Sequence, residues 1–279
     1  MDLLFGTIIV MVSVAFVCEF VDSSIGMGYG TTLTPVLLLM GFSPVEIVPA
    51  ILLSELVAAL LASVLHHFHG NVNFKLESSD IFKIKNMLSP LGYIECVRRT
   101  VPRHLKVALL LAVCSIVGTV AAVFVALNIP EFWLKMYIGC LVLSMGVIVF
   151  LCRGKQFSFS WKKITFLGLI ASFNKGMSGG GYGPVVTSGQ MLSGVESKNA
   201  VAITSLAEGL TCFVGVIIYL LASKNPVTWR IAPWIMIGAV SSVPFSTKSV
   251  KKISAGKLSL AIAAFSVTLG SVTIIRTLT

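Results

Sequence analysis

Apolar stretches alternate with short polar connections along the whole chain. The apolar segments fall near 3–21, 31–41, 45–66, 107–127, 133–152, 164–174, 184–193, 198–222, 231–247 and 257–276. As helices rising about 1.5 Å per residue, runs such as 107–127 and 257–275 each cross the roughly 30 Å hydrocarbon layer of a bilayer. The pattern predicts an all-α polytopic membrane protein. The segments 31–41, 164–174 and 184–193 reach only about half that thickness. Each borders a glycine-rich stretch, so broken helices or hairpins are predicted there.

A shift of 153 positions lays Phe20–Glu55 over Phe173–Glu208 without a gap, with eleven identities in thirty-six. Among them are Gly26/Gly179, Gly28/Gly181, Tyr29/Tyr182, Gly30/Gly183, Gly41/Gly194 and Glu55/Glu208. Chance supplies matched leucines but not a matched Gly-Tyr-Gly register. Two repeats follow, 1–152 and 153–279, of about five helical segments each.

Composition agrees with a bilayer solvent: 56% of residues are hydrophobic and 11% charged, against about 25% charged in soluble domains. The net charge of +10 lies in loops and not in a soluble basic domain, so it is read as a topology signal and not as a nucleic-acid footprint. Residues 67–106 hold seven Lys or Arg, 153–163 four, 193–198 one and 248–257 four, while Lys224 and Arg230 are alone in the remaining connections. Sixteen against two marks the first set as cytoplasmic, with the N-terminus outside. The first apolar run begins with Asp2 and lacks both a cationic start and a small-residue cleavage site, so it is expected to stay as a helix. An odd number of segments per repeat inverts the second repeat. Inverted repeats with discontinuous helices are a plan of secondary transporters, which bind substrate near the midplane between the halves.

Two motifs carry the candidate chemistry. The first runs Asp22-Ser23-Ser24-Ile25-Gly26-Met27-Gly28-Tyr29-Gly30-Thr31-Thr32. The second runs Asn174-Lys175-Gly176-Met177-Ser178-Gly179-Gly180-Gly181-Tyr182-Gly183-Pro184. Glycines let backbone N–H groups converge, and a following helix start adds a positive dipole end, so each motif suits a small anionic substrate. Close helix packing is the plainer use of small residues; it is the paired register that favours binding. Thr31, Thr32, Ser178 and Thr204 offer hydroxyl donors, or bonds back to their own helices.

Lys175 is an ionisable group at membrane depth and hence a functional candidate. Two roles are open to it: attracting the anion, or pairing with Asp22, which occupies the matching position. Glu55 and Glu208 lie twelve residues after the helix-start candidates Ser43 and Glu196, about 18 Å into their helices. A charged carboxylate is costly at that depth. Glu55, Glu208 and Asp22 are therefore candidates for a coupling proton, with internal pairing as the structural alternative.

The remaining features add little chemistry. The excursion 67–104 contains His67, His69 and His104, with His66 just before it, but shows no facing ligand set, so no metal is read there. Ile81, Phe82, Ile84, Met87 and Leu88 among charges would suit an interfacial helix. The six cysteines lack C-x-x-C spacing and are read as packing residues. Glycine hairpins also build pores, which leaves an anion channel as a rival. Gly176-Met177-Ser178-Gly179 has the form of an intramembrane serine protease motif, but no histidine follows Ser178, so a base is missing and no enzyme is predicted.

The two glycine-rich stretches ending in Gly26-Met27-Gly28-Tyr29-Gly30 and Ser178-Gly179-Gly180-Gly181-Tyr182-Gly183-Pro184 resemble the sulfite exporter TauE/SafE family. Gly41 and Gly194 closing the short helices, and Ile116-Val117-Gly118-Thr119 and Met236-Ile237-Gly238-Ala239 opening later ones, are further family-like marks. The resemblance implies movement of sulfite, organosulfonates or related sulfur-containing anions across the cell membrane, generally outward. Composition and spacing alone reach only a small anion.

Overall fold

The computed structural model describes residues 2–74, 102–151, 160–192, 195–223, 229–250, 252 and 255–279. These form α1 (Asp2–Ile25), α2 (Tyr29–Leu39), α3 (Pro44–Phe68), α4 (Arg103–Asn128), α5 (Glu131–Leu151), α6 (Trp161–Ser178), α7 (Tyr182–Leu192), α8 (Ser197–Ala222), α9 (Ala232–Ser249) and α10 (Ala255–Leu278), with no strand among the described residues. Six helices are long and apolar enough to cross a membrane: α1, α3, α4, α5, α8 and α10. The outer surface is apolar, as a lipid-facing one must be: Val117 is 66% and Leu221 80% exposed. The chain is an all-α, multi-pass membrane protein. The interfacial helix expected around Ile81–Leu88 lies outside the described residues.

The 153-residue register extends to the helix ends. α1 ends at Ile25 and α6 at Ser178; the eleven-residue α2 and α7 begin at Tyr29 and Tyr182; α3 and α8 begin at Pro44 and Ser197. Packing follows the same correspondence. α1, α2 and α3 enclose one apolar core with α9, while their counterparts α6, α7 and α8 enclose another with α4. The long helices α3 and α8 pack on each other, as do α5 and α10. The packing interleaves the two halves of the chain, since α1–α3 share their core with α9 and α6–α8 share theirs with α4.

Two expectations need correction. The short segment 164–174 belongs to an eighteen-residue helix, α6. Beyond the predicted end at 174, Lys175 and Ser178 are still helical and buried, and the helix ends only where Gly179 turns left-handed at φ 73 and its N–H caps the Lys175 carbonyl. Gly118 and Gly238 do not open helices either; they lie inside α4 and α9. A Cβ on Gly118 would press on the Leu169 carbonyl of α6, and one on Gly238 on the Val12 carbonyl of α1. Close backbone approach explains them.

Candidate substrate and ion site at the helix crossing

The polar half of each motif is the last turn of a long helix, and three residues, 26–28 or 179–181, join it to a short helix. Those joints need positive φ, at 76° and 139° for Gly26 and Gly28 and at 73° and 79° for Gly179 and Gly181, a region that glycine enters without steric cost. The two joints cross in contact. A Cβ on Gly30 would run into the Gly179 carbonyl, and one on Gly183 into the Gly26 carbonyl, which is its repeat equivalent. Gly180 meets Gly30 and Thr31 in the same way. Hydroxyls bridge the crossing: Thr34 donates to the Ser178 carbonyl at 2.8 Å and Thr187 to the Gly26 carbonyl at 2.6 Å. Backbone contact therefore accounts for Gly30, Gly180 and Gly183.

The two helix starts differ electrically. At α2 the Tyr29 N–H donates to the Asp22 carboxylate at 3.2 Å, a protein anion placed at a positive dipole end. At α7 the residue matching Asp22 is Lys175. The Ser178 hydroxyl accepts from the Gly180 N–H at 3.1 Å and donates back to the Asn174 carbonyl at 2.8 Å, the local bonding such residues favour. Thr204 shares a hydrogen bond with the Thr187 hydroxyl at 2.8 Å and accepts from Gln190 at 3.0 Å. Thr32 is buried. Thr31 is buried with its hydroxyl unpartnered.

The phenols also diverge. The Tyr29 hydroxyl bonds Ser54 at 2.6 Å. The position matching Ser54 is Ala207, so Tyr182 has no equivalent partner. Its hydroxyl is buried and unpartnered beside Thr211, whose own hydroxyl donates to the Ala207 carbonyl at 2.8 Å.

Beneath the crossing, Lys175 pairs with the two glutamates and not with Asp22. It is fully buried, and its ammonium donates to Glu55 and, at 2.8 Å, to Glu208. The equal depth of the two glutamates is what lets α3 and α8 close on one lysine from α6. Each glutamate keeps a second oxygen, Oε1 of Glu55 and Oε2 of Glu208, buried without a partner. Oxygens of Asp22, Glu55 and Glu208 lie within 4.8 Å of one another. That donor set suits a cation, and the cation facing it is the Lys175 ammonium, bonded to two of the three. Two ionised carboxylates at such a distance repel by about 3 kcal/mol at an effective dielectric of about 20.

Two further residues have roles that the sequence pattern does not show. Glu19, one turn before Asp22, is buried, accepts from the Ser23 hydroxyl and interacts electrostatically with Asp22, Glu208 and Lys175. It stands inside the apolar run 3–21, and an acid at that place is itself the signal. His66 is not part of the polar excursion but of α3. Fully buried, it bonds the Ser23 carbonyl at 3.0 Å, while its Nδ1 accepts from Asn71 at 2.9 Å; Asn71 also donates to the Thr247 carbonyl at 3.0 Å. The carbonyl can only accept, which fixes the proton on Nε2. This network ties α3 to α1 and α9.

The family model described as "Sulfite exporter TauE/SafE" matches residues 11–77 and 89–273. The chain is 24% identical over 282 residues to "Probable membrane transporter protein YtnM" of Bacillus subtilis (strain 168), an alignment covering 96% of this chain and 83% of that protein. No solved structure matches it.

Proposed function

We propose, for a chain that belongs to the sulfite exporter TauE/SafE family and is thus a membrane transporter, that the cargo is sulfite, an organosulfonate or a related small sulfur-containing anion. It leaves across the cell membrane by alternating access at a midplane site. The carrying observation is the crossing of two register-matched joints, each leading into a half-length helix. In this reading the anion is held where the joints meet, by N–H groups around Gly28–Thr31 and Gly180–Gly183 and by the two short-helix starts. The halves are related by a two-fold axis in the membrane plane, a relation that the reciprocal Gly30–Gly179 and Gly183–Gly26 contacts support. The N-terminus lies outside and 67–106 in the cytoplasm.

Touching backbones at the crossing favour a carrier over an open anion channel. Glu55, Glu208 and Asp22 are the coupling-proton candidates, since an acid at this depth is costly in its charged form. Flux of sulfite, sulfoacetate, thiosulfate and sulfate in proteoliposomes tests the proposal. Saturable movement of at least one is expected; ohmic, non-saturating anion current would establish the channel instead, and no flux of any would sink both.

A further inference from the structure

Resting on this anion-transport reading, we infer that Lys175 is the counter-charge of the bound anion, and that it is released to one monoanion only as Glu55 and Glu208 each take up a proton. In the structure the lysine's charge is already committed, by the bonds to Glu55 and to Glu208. A further anion on that ammonium would make three negative groups share one positive charge at a fully buried position, where uncompensated charge is expensive. Two protons remove the conflict. With both glutamates neutral, lysine and monoanion cancel, the Asp22 charge being offset by the Tyr29 N–H and the start of α2, and the protonated carboxyls become donors that the anion can accept from.

The geometry provides for those protons. Oε1 of Glu55 and Oε2 of Glu208 are buried without a protein donor, so each offers a lone pair to a proton, and the two carboxyls lie close enough to interact. Asp22 is less suited, because the Tyr29 N–H already supports its ionised form. The other titratable groups interacting with Lys175 are Glu19 on α1, bonded to Ser23, and Cys212 on α8; the phenols stand one step away, Tyr29 on α2 beside Glu55, Tyr182 on α7 beside Glu208 and Tyr137 on α5 bonded to Asn174 at 2.7 Å. No other lysine or arginine is fully buried among the described residues. A single available positive charge also sets the cargo's valence: singly charged sulfonate-type ions are preferred, since a dianion would leave one buried charge unmatched.

The sign follows directly. Protons taken up with the anion make binding tighter at low pH and weaker as pH rises, about tenfold per pH unit for each proton. The test is calorimetry on the purified full-length protein in sodium-free, chelator-containing buffers of different ionisation heat. Methanesulfonate, whose charge is fixed, is the probe and thiosulfate the dianion. Wild type should take up as many as two protons per methanesulfonate and bind thiosulfate about tenfold or more weakly. The Glu55→Gln/Glu208→Gln protein should bind without proton uptake and with pH-independent affinity; Lys175→Met should not bind. Binding by wild type without proton uptake at any pH, or by Lys175→Met at wild-type affinity, would overturn the inference while leaving transport intact. The wild-type measurement decides alone if a variant does not fold. A wild type that binds none of methanesulfonate, sulfite, sulfoacetate or thiosulfate overturns the transport reading itself, and this inference with it.

Discussion

Asp22 and Lys175 stand 153 residues apart at the same place in the repeat, and they turn to different partners. Asp22 accepts the Tyr29 N–H at 3.2 Å, whereas Lys175 reaches Glu208 at 2.8 Å and Glu55 beside it. A duplicated backbone thus presents an acid at one helix start and a base near the other. The residues of opposite charge are not spent on each other, because the lysine points into the gap between α3 and α8.

Removing the lysine should therefore strand two carboxylates. Lys175→Met is expected to lose about 3–5 kcal/mol of stability, read as a lower melting temperature in detergent. Lowering the pH neutralises the stranded acids, so the deficit should shrink under acid conditions. A variant as stable as wild type at neutral pH would contradict the buried ion pair.

The crossing gives a steric prediction. Gly30→Ala and Gly183→Ala place a methyl against the Gly179 and Gly26 carbonyls, and each should cost about 1–3 kcal/mol or abolish folding. Gly6→Ala meets nothing within 4 Å and is the neutral control. Monodispersity and thermal melting of the three proteins decide the matter.

The two phenols separate packing from hydrogen bonding. Tyr29→Phe leaves Ser54 without its partner and should cost about 1–3 kcal/mol. Tyr182→Phe removes an unpartnered hydroxyl and should leave the melting temperature unchanged or raised. Equal losses at both positions would show that the environments are not different.

The fold was readable in the sequence because its two signals are local. Apolar length predicted the spanning helices, and the gapless repeat placed the ends of α1, α2 and α3 in register with those of α6, α7 and α8. The buried acids were legible from their place in apolar segments, as for Glu55 and Glu208. Their partner was not, since only the crossing of three helices brings Lys175 between them. The end of the apolar run at 174 understated α6, because tertiary partners satisfy Asn174 and Lys175 and the helix continues to Gly179. Glu19 was hidden the other way, by apolar neighbours that made its charge easy to pass over.

His66 and Asn71 should behave as one unit. His66→Leu and Asn71→Ala each break the link from α3 to α1 and α9, and each should cost about 1–3 kcal/mol. Because they share a bond, the double variant should lose clearly less than the sum. Strict additivity in thermal or chemical melting would argue that the network is not coupled.

Membrane orientation is testable without any substrate. A cysteine introduced at Asp80 should react with membrane-permeant but not with impermeant reagents in intact cells, as the sixteen-to-two loop charge count requires. Labelling from outside would reverse the orientation of the whole chain.

The interleaved packing also bears on how the protein is made. α1 rests on α9, so the earliest made of the described helices faces a partner that follows some two hundred residues later. Its Val12 backbone, shaped to receive Gly238, must wait in lipid during that interval. By contrast α4, on which α6 packs, is already present when α6 emerges, and those two dock at once. Biogenesis is therefore asymmetric although the finished architecture repeats itself. Truncation anywhere before α9 leaves the N-terminal helix unclaimed and exposed to the membrane's quality-control proteases.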